Sequence, residues 1–165
     1  MGNAILIIAV NVAFWLAVFY GPGAAIVALP KPFQQWAFNH RRRFYRVSER
    51  EMKFYRKIRL PIWKDYLPQH NTDFDKRHLP RNVDMEYLRR YIFVTCRSEV
   101  IHYVIGIVGF LSVTLSRLAE DVELWRDIYT LMASLDAIGN MPFAMIQRYN
   151  RYRLERLVSR MQQKC

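Results

Sequence analysis

The chain has 165 residues, 52% of them hydrophobic and 15% aromatic, with a formal net charge of +11. A small soluble domain cannot hide that much apolar side chain in one core while carrying that charge. Its two cysteines, Cys96 and Cys165, exclude a disulfide framework and supply no zinc spacing.

Charge and hydropathy alternate in blocks, the pattern of a small membrane protein with cationic flanks. The fold class expected is all-α: one membrane domain, residues 1–165, with about three transmembrane helices plus a cytoplasmic basic amphipathic helix and loop.

Residues 4–29 form the first predicted membrane helix. Ala4 to Tyr20 is uncharged, and Asn11 is its only strongly polar member. After "GPG", Gly21 to Gly23, the run "AAIVAL" extends the stretch to Leu29. That exceeds the roughly 20 residues a span requires, and Pro22 predicts a kink. No Lys or Arg precedes the run, so it reads as a retained anchor and not a cleaved signal. The competing reading is a buried core helix.

Residues 31–99 form the predicted cytoplasmic interfacial region. Eleven Lys or Arg between Lys31 and Lys64 face two acids, Glu49 and Glu51. Phe33, Trp36, Ala37, His40, Phe44 and Val47 recur at helical spacing, which predicts a basic, aromatic-faced helix against anionic membrane headgroups. The same patch admits a nucleic-acid reading; a chain already held in a membrane has little need of it, so no nucleic-acid partner is expected. "DYLPQHNTDFDKRHLPRNVD" carries turn formers and charge and reads as a loop. Asp84 is the predicted cap of the helix that begins at Met85.

The second predicted span is 100–116 and the third is 128–146, with Asp136 and Asn140 inside it. Between them, residues 117–127 carry Arg117 and Arg126 against four acids. Residues 147–165 form a basic tail with Glu155 as its one acid. Placing both basic blocks in the cytoplasm and the 117–127 loop outside requires an odd number of crossings, and three satisfy it.

Chemistry gathers at the cytoplasmic end of the second span. Glu99 and His102 lie three residues apart, neighbours on one helix face. A neutral imidazole is a suitable base near pH 7, and a carboxylate can fix its tautomer. The plain alternative is an interfacial pair engaging Arg97 or the loop. His78 in "DKRHL" sits beside two cations and is a second candidate base. His78, Glu99 and His102 lack the spacing of a metal site, so no metal is expected. Asn140 is one turn from Asp136 and shares its face; Asp136 is functional or simply lies near the outer water boundary. In "QRYNRYRL", Arg148, Arg151 and Arg153 can clamp phosphates, or merely anchor the tail.

Taken together and in order, "WKDYLP", "DKRHL", "RSEVIHY", "GNMP" and "QRYNRYRL" resemble the glycosyl-4,4'-diaponeurosporenoate acyltransferase family, from about Trp63 to Leu154. The resemblance implies an integral bacterial membrane enzyme that esterifies a fatty acid onto the sugar of a carotenoid glycolipid. Carried over by position, the motif residues are Trp63, His78, Arg97, Glu99, His102, Asn140, Arg148, Asn150 and Arg151. Asp136 and the Arg cluster near Arg41 depart from that pattern and leave the acceptor open.

The reading is O-acyl transfer from an acyl thioester to a sugar hydroxyl of a lipid at the cytoplasmic face of the cell membrane. The donor is acyl-CoA or acyl-carrier protein, and no bound cofactor is expected. His102 is the base, Glu99 its orienting partner and His78 the reserve base. Arg97, Asn140, Arg148, Asn150, Arg151 and Trp63 bind substrate. The rivals are a non-enzymatic scaffold or lipid-binding protein, and a hydrolase using the same residues.

Overall fold

A computed structural model of the protein describes residues 2–68, 74 and 83–163. Among these residues all regular secondary structure is helical. Helix α1 spans Gly2–Ala28, α2 Lys31–Ala37, α3 Glu49–Lys57, α4 Leu60–Trp63, α5 Met85–Val108 and α6 Val122–Gln162. Short 3-10 turns stand at Arg43–Tyr45 and Lys64–Tyr66, and a longer one at Gly109–Leu118. Two segments, Ile5–Ala28 and Met85–Leu118, are long and apolar enough to cross a membrane.

The chain divides into two compact units: Met1–Lys31 with Val100–Phe143, and Pro32–Glu99 with Ala144–Cys165. The divisions fall after the first residue of α2, inside α5 and inside α6.

In the first unit, α1 is apolar on every side, which suits a hydrocarbon environment better than water. Ile5, Leu6, Ile8, Val12, Leu16 and Phe19 are exposed, while Val18 is buried. Pro22 lies within the helix without ending it. The helix packs on the 109–118 stretch, and Asn11 Nδ2 donates to the Tyr129 hydroxyl at 3.0 Å. That bond satisfies the one strongly polar side chain of the apolar run. Gly106 lets α5 approach α6 closely: a Cβ there would lie 3.1 Å from the Ala137 Cα.

The expected span 100–116 is divided between two helix types. The α-helix ends at Val108 and the chain continues as a 3-10 helix to Leu118. Thr114 and Ser116 donate to the carbonyls of Leu111 and Val113, each three residues back, at 2.7 and 2.8 Å. Such short-range bonds favour the tighter winding. The expected third span and basic tail are one continuous helix, α6, which holds Pro142 in its interior.

In the second unit, the single amphipathic helix expected after Lys31 is replaced by short pieces. Asn39 Oδ1 accepts from the Arg41 amide at 3.0 Å, an Asx turn that breaks the periodicity. Ser48 caps α3 by accepting from the Glu51 amide at 3.1 Å. Arg59 has φ 56°, in the left-handed region, so the chain turns before α4. Asp84 caps α5, as its position predicts, by accepting from the Tyr87 amide at 2.7 Å. One core joins Met52, Tyr55 and Leu60 to Ile146, Tyr149 and Tyr152; a second joins Phe74, Leu88, Tyr91, Ile92 and Val94 to Leu154. The last turns of α6 are thus the common support of the unit.

Candidate functional site

The second unit holds a charge quartet in which two members, Glu99 and Arg151, are fully buried and two, Glu51 and Arg148, half-buried. Arg148 and Arg151 are three residues apart on α6 and share a face. Glu99, from α5, is fully buried between them. Its Oε1 accepts from Arg148 Nη1 at 2.7 Å and its Oε2 from Arg151 Nη2 at 2.5 Å. Glu51, from α3, takes Arg148 Nε on Oε1 at 2.5 Å and Nη2 on Oε2 at 2.9 Å. Two carboxylates and two guanidiniums balance, which is what burial of charge requires.

Arg148 also donates to the carbonyls of Phe44 and Arg46, both at 3.0 Å. A guanidinium has five N–H groups, and all five of Arg148 are used within the unit. Arg151 is fully buried and donates from Nε to the Tyr45 carbonyl at 3.0 Å. Its Nη1 is buried without a hydrogen-bond partner. These contacts pin the loop 44–46 to α6.

Burial raises the Glu51 carboxyl, but the hydrogen bonds from Arg148 and Tyr55 outweigh it and hold the group below the usual carboxylate range. The bonds to Glu51, ahead of those to Glu99, push the Arg148 guanidinium further up. Burial pushes the Tyr45 phenol up to about 12; that hydroxyl donates to the Ala37 carbonyl at 3.0 Å. Burial, then its bond to Glu51, raises the Tyr55 phenol.

The first unit holds a different network. Asn140 Nδ2 donates to the Asp136 carbonyl oxygen and to Asp136 Oδ1, both at 3.0 Å. A backbone carbonyl only accepts, so this fixes which end of the amide faces which way. Asn140 Oδ1 then faces His102 Nδ1 at 3.0 Å, and Nδ1 must carry the hydrogen. The neutral ring therefore holds its lone pair on Nε2. The His102 ring stacks on Phe143 with centroids 5.1 Å apart and planes inclined by 17°. Hydrogen bond and stack together set the plane of the imidazole.

Of the residues singled out from the sequence, the structure joins Glu99, Arg148 and Arg151 in the quartet and His102 with Asn140 in the relay. Arg97 is half-buried, with its Nε buried and without a hydrogen-bond partner. Trp63 Nε1 donates to the Ile58 carbonyl at 2.9 Å, and Asn150 is buried. His78 lies outside the described residues. Glu99, read as the orienting partner of His102, has two guanidiniums as its partners, and the His102 Nδ1 is held by Asn140.

The sequence reading missed Glu51 and Tyr45, and left the role of Asp136 open. A signal for Glu51 existed. Glu49 and Glu51 are the only acids among the eleven cations of 31–64. Both are engaged by α6: Glu49 accepts from the Tyr152 hydroxyl and Glu51 from Arg148.

Fold and networks define a protein whose described residues are helical wherever their secondary structure is regular, with two segments among them long and apolar enough to span a bilayer. Residues 31–160 match the model of the glycosyl-4,4'-diaponeurosporenoate acyltransferase family, and the chain belongs to that family. No curated protein and no solved structure matches the chain. The family shown is the one the motifs resemble, and its match reaches some thirty residues further toward the N-terminus than they do. Membership supports an acyltransferase activity.

Proposed function

We propose that the protein is a multi-pass membrane O-acyltransferase that moves a fatty acyl group from an acyl thioester to a sugar hydroxyl of a glycolipid. The carotenoid-type glycolipid in the family description is the nearest guide to the acceptor. Acyl-CoA or acyl-carrier protein is the donor.

The observation that carries the chemistry is the chain of bonds from Asp136 through Asn140 to His102. It presents Nε2 as the basic atom of a ring held in one plane. His102 Nε2 takes the proton of the acceptor hydroxyl as its oxygen attacks the thioester carbonyl. The C–O bond forms, the C–S bond breaks, and the proton passes from His102 to the leaving thiolate. A positioned general base contributes about 10²–10⁴-fold to such a step. Asn140 positions the base, and Asp136 positions Asn140. His78 is the second candidate base.

The quartet serves architecture in this reading, because the Arg148 donors are committed internally. Donor phosphates and anionic headgroups fall to the exposed basic residues Arg41, Arg42, Arg43, Arg56 and Lys57. Arg97, Trp63 and Asn150 remain proposed substrate contacts, and Arg151 joins Arg148 in the architectural role.

The membrane reading is supported by α1 and by a stripe on α6. Leu131, Leu135 and Ile138 are exposed, with Met132 and Met141 beside them. Exposed apolar surface of this extent suits lipid. With α6 as the third crossing, the basic segments 31–99 and 147–165 lie in the cytoplasm.

The deciding experiment supplies labelled acyl-CoA and a glucosyl lipid to membranes with and without the protein. A new acyl ester supports transfer. Labelled free fatty acid alone makes the protein a hydrolase, and no turnover makes it a scaffold or lipid-binding protein.

A further inference from the structure

Among the described residues of the first unit, three buried polar atoms lack a hydrogen-bond partner: Trp15 Nε1, Ser112 Oγ and Asp136 Oδ2. They come from α1, the 109–118 3-10 helix and α6. Unsatisfied polar groups are rare in folded proteins, and in a unit with an apolar exterior they mark a place where a polar ligand belongs.

Asp136 Oδ2 and the benzo edge of the Trp15 ring lie against Gly109. A Cβ built there would lie 2.9 Å from Asp136 Oδ2 and 3.6 Å from the Cη2 and Cζ3 atoms of the Trp15 indole. Gly109 is itself buried. In a 3-10 helix residues three apart are eclipsed, so Ser112 lies on the face of Gly109, and it is fully buried.

The donor and acceptor character of the three is selective. An indole N–H only donates, a carboxylate oxygen accepts, and a serine hydroxyl does either. A carbonyl ligand leaves Asp136 unanswered. An ammonium leaves Trp15 unanswered. A hydroxyl oxygen, which donates once and accepts twice, answers all three.

We infer that Trp15, Ser112 and Asp136 form a hydroxyl-binding subsite that takes a neutral sugar hydroxyl of a glycolipid headgroup. The inference rests on the acceptor class proposed above. Asp136 is shared with the relay: Oδ1 holds Asn140, which holds His102, and Oδ2 turns to the subsite. One carboxylate thus links acceptor recognition to the orientation of the base. Trp15 lies outside the 31–160 family match, so part of the subsite comes from a segment that the match does not cover.

Water offers the same hydroxyl chemistry, and the test separates the two. The full chain is placed in phosphatidylcholine nanodiscs without acyl donor and titrated with monoglucosyl diacylglycerol. The readout is the tryptophan emission that Trp15→Phe removes. A saturable change is expected with the glucosyl lipid and none with the same lipid carrying methylated sugar hydroxyls. Ser112→Ala, which removes one hydrogen-bonding group and almost no volume, weakens the apparent affinity about tenfold. Gly109→Ala keeps every polar residue, yet its methyl must displace Asp136 Oδ2, and it weakens binding likewise. Equal response to both lipids, no response, or wild-type affinity in both variants overturns the subsite and leaves the trio to water. Binding without acyl transfer keeps the subsite and removes the acyltransferase reading; transfer without this binding does the reverse.

Discussion

Arg148 grips Glu51 through two parallel hydrogen bonds, Nε to Oε1 at 2.5 Å and Nη2 to Oε2 at 2.9 Å, and reaches Glu99 with Nη1. One guanidinium therefore ties α3, α5 and α6 together. The geometry is a fork, and a point charge cannot reproduce it.

Arg148→Ala leaves Glu51 without its guanidinium partner and buried Glu99 with Arg151 alone. Breaking a buried pair costs about 3–5 kcal/mol; the lower end is expected, because Arg148 and Glu51 keep side-chain exposures of 15% and 23%. Arg148→Lys restores the charge but not the five donors, and recovers only part of the loss. Thermal unfolding in detergent measures both. Wild-type stability in Arg148→Lys would show that charge alone suffices.

Stability should depend on pH through Glu51. Its folded pKa is lowered, mainly by Arg148 and Tyr55 acting against burial. A lowered carboxylate pKa gives stability that is complete above the unfolded value and is lost as pH falls through the folded one. The wild type therefore loses stability as pH falls below the ordinary carboxylate range. Glu51→Gln is less stable near neutrality and shows a flatter acid limb. Parallel acid limbs in the two proteins would remove Glu51 as the group responsible.

His102→Ala should lose about 10²–10⁴-fold in acyl transfer while still inserting in membranes. Asn140→Ala frees the ring without removing it and falls between the two. Asp136→Asn retains an oxygen that accepts from Asn140 and so retains more activity than Asp136→Ala. If Asp136→Asn and Asp136→Ala fall equally, the relay is not what Asp136 supplies. His78→Ala is the milder histidine change; a dead His78→Ala beside an active His102→Ala moves the base to His78.

Topology is read with one introduced cysteine at a time in a chain lacking Cys165, where the remaining native Cys96 is buried. Arg117 and Ser159 are exposed, whereas Ser116 is buried and would label poorly. Arg117→Cys should react with an impermeant reagent from outside whole cells, and Ser159→Cys only after permeabilisation. Labelling of both from one side rules out the third crossing.

Gly106 faces Ala137 at backbone distance. Gly106→Leu forces α5 and α6 apart in the first unit and costs about 1–3 kcal/mol. Gly139, which has open space around it, accepts Ala without such a cost. Matching melting curves for Gly106→Leu and the wild type would refute the close approach.

The sequence determined what is local. Uninterrupted apolar residues give α1, because a helix satisfies its own backbone and needs only a compatible surround. Asp84 is legible as a cap because it acts three residues away. The ordered motifs, from "RSEVIHY" to "QRYNRYRL", carry the family. The helical spacing of Phe33 to Val47 misled, because periodicity does not register the Asx turn at Asn39 or the left-handed Arg59.

Partner choice was decided only by the tertiary structure. Glu99 and His102 share a helix and three-residue spacing, so sequence pairs them. Their bonding partners stand 38 to 52 residues away on α6. Whether Arg148 meets a substrate phosphate or Glu51 depends on where a helix 97 residues distant in the chain comes to rest. Spacing reports which side chains share a face; only packing brings an opposite charge to that face.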